Sequence, residues 1–150
     1  MMLPNWVKWE NEVACRLGAH NVRLSGRLDM FKGDVKSERL LVDCKYTDKP
    51  SYVLTADVWD AVAGWARNES KEPAIAIKTS ECEIAVVSEP LYYELEEHIK
   101  PIVEWEETKS RTLGQKVDQI HPTRFNIGGY HLMAYSFEKF VDDVRRTHGQ

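Results

Sequence analysis

Asp34, Asp43 and Lys45 are the residues of this chain whose types and spacing could do chemistry. Asp43 and Lys45 flank Cys44 at the end of the apolar run Leu40-Leu41-Val42. On a strand, residues two apart share a face, so the carboxylate and the amine point one way and the thiol the other. Charges at the end of a buried strand are costly unless something pairs with them or ligates them. If Asp34 ends the preceding strand, two carboxylates and a lysine converge. Hard oxygen ligands of that kind suit Mg²⁺, which keeps positions for water and phosphate. A lysine beside the ion can steer the attacking water or neutralise charge developing on a phosphate. A lone Asp-x-Lys triplet is more often a structural ion pair. What favours chemistry here is the context: Gly33-Asp34 upstream, an apolar strand, and a glutamate on a neighbouring helix.

That glutamate is Glu10. The spacing predicts a helix over Trp6–Leu17, with Trp6, Val7, Glu10, Val13, Ala14 and Leu17 on one face and Gly18 as its stop. A carboxylate within an apolar stripe calls for a partner, either water at the boundary or a shared site. Glu12 is rotated toward solvent and is the fallback if the helix is turned differently. Further along, strands are expected at Asn21–Ser25, near Lys32–Val35 and at Leu40–Tyr46, with a polar turn over Lys36–Arg39 and a loop over Thr47–Ser51. Thr55 or Asp57 can cap a helix through Asn68, with Val58, Trp59, Val62, Ala63 and Ala66 inward. Strands at Ala74–Lys78 and Glu83–Ser88, a helix over Pro90–Ile99, a strand at Tyr130–Ser136 and a helix over Phe137–Thr147 complete the pattern. Lys100 to Gly129 is poorly patterned and is expected to be a long loop. This order predicts an α/β sandwich on a mixed sheet, in a single domain spanning residues 1–150.

Composition sets few further limits. The 150 residues are 43% hydrophobic and 29% charged, which is ordinary for a globular protein. No apolar run approaches the roughly 20 residues of a membrane span, and the N-terminus lacks a signal-peptide layout. Cys15, Cys44 and Cys82 are widely spaced, which predicts a reduced, cytoplasmic protein without a disulfide framework. The formal charge of −4 is unevenly spread: +2 over residues 1–50, −9 over 51–107 and +3 over 108–150. Basic ends around an acidic middle permit a local phosphate-binding face. The five histidines form no zinc-hydrolase spacing, and neither a nucleophile elbow nor a Walker A sequence occurs. Trp6, Trp59 and Trp65 fit helix faces better than base-stacking platforms.

Helical Glu10, Gly33-Asp34 and Asp43-Cys44-Lys45, followed by an amphipathic helix and an apolar strand, resemble the PD-(D/E)xK nuclease superfamily. Three stretches are similar to archaeal and phage Holliday junction resolvases. They are Glu10-x-x-Val13-Ala14-x-x-Leu17-Gly18, Val22-Arg23-Leu24-Ser25-Gly26, and Lys32-Gly33-Asp34 with Leu41 through Thr47. The resemblance covers about residues 8–88, and residues 100–150 match no familiar pattern. Gly33 stands where the family usually has proline, and Asp43 where it usually has glutamate. The resemblance implies a restriction-endonuclease-like three-layer sandwich whose central mixed sheet is flanked by helices. It implies that Asp34, Asp43 and the Cys44 backbone carbonyl hold Mg²⁺ (Mn²⁺ substituting), that Lys45 handles the water, and that Glu10 completes the site. The product would be a nicked strand with a 5′-phosphate and a 3′-hydroxyl.

Ser25 is a turn serine or, by the same resemblance, lies near the scissile phosphate. Arg23, Arg27, Lys32, Lys36 and Lys49 cluster in sequence around these residues and are candidates for phosphate contact, as well as ordinary surface charges. Ser51 and Tyr52 follow the triplet closely and could lie beside the site. The expected function is metal-dependent cleavage of branched double-stranded DNA, in recombination or repair, by a homodimer whose two-fold symmetry matches a four-way junction. The helix bearing Trp59 and Trp65 and the strand Tyr130–Tyr135 are candidate interfaces. A sequence- or mismatch-specific nuclease, a non-catalytic nucleic-acid-binding module, and an interaction protein whose charged strand end is structural remain the alternatives.

Overall fold

The computed structural model describes residues 3–18, 20–21 (backbone alone), 35–95, 107–114 and 122–147. Helix α1 (Asn5–Leu17) forms over the expected periodic stretch and stops at Gly18, whose φ of 65° is a left-handed conformation that a side chain would disfavour. Strands β1 (His20–Asn21), β2 (Val35–Lys36) and β3 (Leu40–Tyr46) follow, with the Ser37 amide closing the turn onto the Leu40 carbonyl at 2.9 Å. Strand β4 (Ser51–Thr55) then leads directly into α2 (Ala56–Asn68). Thr55 caps α2, its hydroxyl accepting from the Val58 amide at 3.3 Å. Strands β5 (Glu72–Lys78) and β6 (Glu83–Ser88) and helix α3 (Glu89–Leu95) come next. The chain ends its described course with β7 (Glu107–Thr108), β8 (Ser110–Gly114), β9 (Thr123–Ile127), β10 (Tyr130–Ser136) and α4 (Phe137–Thr147).

Among the described residues these strands form an eight-stranded sheet in the order β1-β2-β3-β5-β6-β10-β9-β7, and a separate ribbon of β4 with β8. The sheet is mixed: β3 and β5 run parallel, as do β7 and β9, and the other neighbours are antiparallel. The parallel pair requires a crossover, which β4 and α2 supply.

Alternation along the strands divides the core in two. Leu40 and Val42, Ala74 and Ala76, and Ala85 and Val87 face α1, α3 and α4. Leu41, Ile75, Ile77, Ile84 and Val86 face α2 and the ribbon. The alanines on the first face leave depth for an aromatic layer of Trp9, Tyr92, Tyr135, Phe137 and Phe140. Trp9 is 1% exposed, and its indole donates to the Ala76 carbonyl at 3.0 Å. The expected α/β sandwich with a central mixed sheet between helices is therefore the observed architecture.

Three expectations change. The stretch from Lys100 to Gly129 is not a loop, because it contributes β7, β8 and β9. Thr123, Phe125 and Ile127 point inward before the Gly128-Gly129 turn, and both glycines have positive φ, as a two-residue hairpin turn demands. Trp6 does not share the buried face of α1: it is 48% exposed, and Trp9 occupies the core position instead. The candidate interfaces pack within the monomer. Leu132 to Tyr135 are buried in a strand flanked by β6 and β9, Trp59 is buried, and Trp65 is partly buried against the same core. No helix among the described residues is long and apolar enough to cross a membrane.

Candidate active site

β3 carries the candidate residues. Its apolar half, Leu40 to Val42, is buried on both faces between β2 and β5, and the polar half begins at Asp43. Asp43 and Lys45 share the face of Leu41, on the α2 and ribbon side, while Cys44 packs against the α1 side as a small apolar group. The Asp43 carboxylate is buried, the residue being 5% exposed, and the Lys45 amine lies 3.0 Å from its Oδ2. Lys45 keeps contact with solvent. An anionic carboxylate held at this depth depends on the charge beside it.

α1 is tied to the sheet near the end of β3. The Asn5 side chain meets the Tyr46 hydroxyl, which donates to Asp48 at 2.8 Å, so the first turn of α1 sits at the end of β3. Trp9 is anchored on Ala76, the parallel partner of Cys44. Glu10, its neighbour, is 4% exposed, on the helix that packs against the sheet face opposite Asp43 and Lys45. Glu12 is turned outward as expected and pairs with Arg16 at 3.1 Å and Lys78 at 3.7 Å.

β4 closes the other side. Tyr52 shares the inward face of Leu54, packs against the α2-side core, and lies within electrostatic reach of both Lys45 and Asp43. Burial is the main cause that raises its phenol pKa above the usual tyrosine value; Lys45 pulls it down and Asp43 adds to the rise. Tyr52 thus stands within electrostatic reach of the Asp43–Lys45 pair, where its closeness in sequence had allowed it to lie. Ser51 is partly buried at the start of β4, opposite Gly114. Of the candidate phosphate contacts, Lys36 is engaged by Glu69 at 2.6 Å, and Lys49 is exposed in the turn before β4. Asp34, Arg23, Ser25, Arg27 and Lys32 lie outside the described residues. Among the described residues no three histidine, cysteine, aspartate or glutamate side chains gather to hold a metal ion, and Asp34 is not part of that set.

No protein-family model matches the chain, and no curated protein matches it in sequence. Among solved structures, the chain is similar to a Holliday junction resolvase from Archaeoglobus fulgidus at 16% identity, with a TM-score of 0.47 over 75% of this chain and 85% of that one.

Proposed function

We propose that this chain is a metal-dependent endonuclease that hydrolyses phosphodiester bonds in branched DNA, with four-way junctions as the preferred substrate. The observation that carries the proposal is the buried Asp43 carboxylate with Lys45 at 3.0 Å, on the polar end of an otherwise apolar strand. Asp43, Asp34, the Cys44 carbonyl and Glu10 offer hard oxygen donors, which fit Mg²⁺ or Mn²⁺ and not a soft metal. Asp34 is bonded to Val35, Asp43 to Val42, and Val35 and Val42 are paired across β2 and β3. Glu10 would reach this site from the α1 face, past the short β2. When bound, a divalent cation would polarise a phosphate oxygen and lower the pKa of water. Lys45 would hold the attacking water and offset charge on the phosphorane-like transition state, and Asp43 would keep Lys45 protonated and aimed. The leaving 3′-oxygen would depart with a proton from solvent, giving a 5′-phosphate.

Resolution of a four-way junction needs two nicks in strands related by two-fold symmetry, so we propose a homodimer as the working unit. The direct test is incubation with Mg²⁺ and synthetic junction, flap and linear duplex DNA. Cleavage of the junction in preference to the others is the expected outcome. Binding without cleavage of any substrate would exclude the enzyme and leave a binding module. Light scattering should report a dimer, and a stable monomer that nicks one strand would redirect the proposal to a flap or restriction-type nuclease.

A further inference from the structure

The ribbon of β4 and β8 does more than cover α2. Its inward face sets Leu54 and Leu113 into the core, both fully buried, and this anchors the strand on which Tyr52 stands two residues before Leu54. Tyr52 pairs in register with Leu113 and packs against the core cluster that holds Leu54 and Leu113. The turn from Thr47 to Pro50 folds β4 back beside the end of β3, with the Ser80 amide holding the Lys49 carbonyl at 3.0 Å. The result is a partly buried phenol on a paired ribbon, within electrostatic reach of the Asp43–Lys45 pair. A tyrosine hydroxyl at such a partly buried position can donate a hydrogen bond to an acceptor that enters beside Asp43 and Lys45.

Resting on the nuclease reading, we propose that Tyr52 is a substrate-contacting residue of the active site whose hydroxyl donates a hydrogen bond to a non-bridging oxygen of the scissile phosphate. Lys45 and Tyr52 then share the work: the amine manages the water and charge, and the phenol fixes the orientation of the phosphate that the water attacks in line. A neutral donor suits this task, because it orients the phosphate without competing with Lys45 for the Asp43 carboxylate. A phosphate is the acceptor that fits. The other acceptors, Asp43 and bulk water, would leave the phenol paired to the lysine's own partner or make it no more than a wall.

The experiment compares wild type with Tyr52→Phe, which keeps the ring and its packing and deletes the hydroxyl. Under single turnover with Mg²⁺, the variant should cleave a synthetic junction roughly a hundredfold more slowly. Its melting temperature and its junction affinity, measured in Ca²⁺, should match wild type. Both proteins are then given junctions carrying sulfur in place of each non-bridging oxygen at the mapped cut. In wild type, sulfur at the contacted oxygen should slow cleavage; in Tyr52→Phe the same substitution should add no further loss, because the two changes remove one contact. Equal rates for wild type and variant, or additive losses with both sulfur diastereomers, would overturn the proposal. A wild type that cleaves no DNA would overturn the nuclease reading together with it, so the two failures are distinguishable.

Discussion

The Asp43–Lys45 pair illustrates how one triplet can carry both structure and chemistry. Asp43→Asn removes the negative charge beside Lys45, and Lys45→Ala removes the amine beside a buried carboxylate. Each change should reduce cleavage by several orders of magnitude while junction binding survives, as measured by gel shift beside single-turnover rates. Loss of the carboxylate's negative charge should, if anything, tighten binding to the DNA backbone. Melting curves accompany both variants, since a change at a buried charge can cost stability as well as activity. Glu10→Gln should fall with them, whereas Glu12→Gln, at an outward pair with Arg16 and Lys78, should cleave like wild type. A reversed result for that pair of glutamates would remove Glu10 from the site. The triplet and the glutamate were legible in the sequence because a strand's two-residue period and a helix's 3.6-residue period decide which side chains face inward. Tyr52 was marked only by its closeness to the triplet in sequence, because its approach depends on a long-range pairing with Leu113 that no local pattern announces.

At the scale of elements, the helix α1 shows where periodicity runs short. Trp6 and Trp9 are three apart and both fit an apolar stripe, yet the alanines of β5 and β6 make a recess for one indole. Trp9 takes it and satisfies its N–H on the Ala76 carbonyl. Trp9→Ala should therefore destabilise the protein by about 3–5 kcal/mol, and Trp6→Ala by no more than about 0.5 kcal/mol, both measured by denaturant unfolding. The strands between residues 107 and 127 were missed for a related reason. β7 is two residues long and β8 has a single outward-inward alternation, so neither stands out from a loop. β9 could have been found: Thr123, Phe125 and Ile127 alternate ahead of Gly-Gly, which is a hairpin signal. The ribbon also has a vulnerable point. A Cβ at Gly114 would lie 2.8 Å from the Pro50 carbonyl oxygen and 2.9 Å from the Ser51 Cβ. Gly114→Val should push β8 off β4 and lower cleavage more than the melting temperature predicts, with the loss read as rate against thermal shift.

For the whole molecule, the sandwich brings helix, sheet and ribbon to one end of β3, and the proposed reaction needs all three together with a hard cation. Cleavage should proceed with Mg²⁺ or Mn²⁺, cease in excess chelator, and fail in Ca²⁺, which is larger and polarises water less. Cleavage that persists undiminished in chelator would contradict the metal requirement. The α/β class and the order of the main elements were readable because the core alternates cleanly from strand to strand. The pairing of β4 with β8 was not, because it is a contact between distant parts of the chain. That distance has a kinetic consequence. Thr55 and Ser110 are the least separated partners of the ribbon, and fifty-five positions still divide them. Loop closure across such a span disfavours early formation, so the β3–β5 sheet with α2 should assemble first and the ribbon dock afterwards. In refolding followed by stopped flow, far-ultraviolet ellipticity should then recover ahead of cleavage competence, with a delay that Gly114→Val lengthens. Simultaneous recovery of the two signals would place the ribbon in the folding nucleus instead.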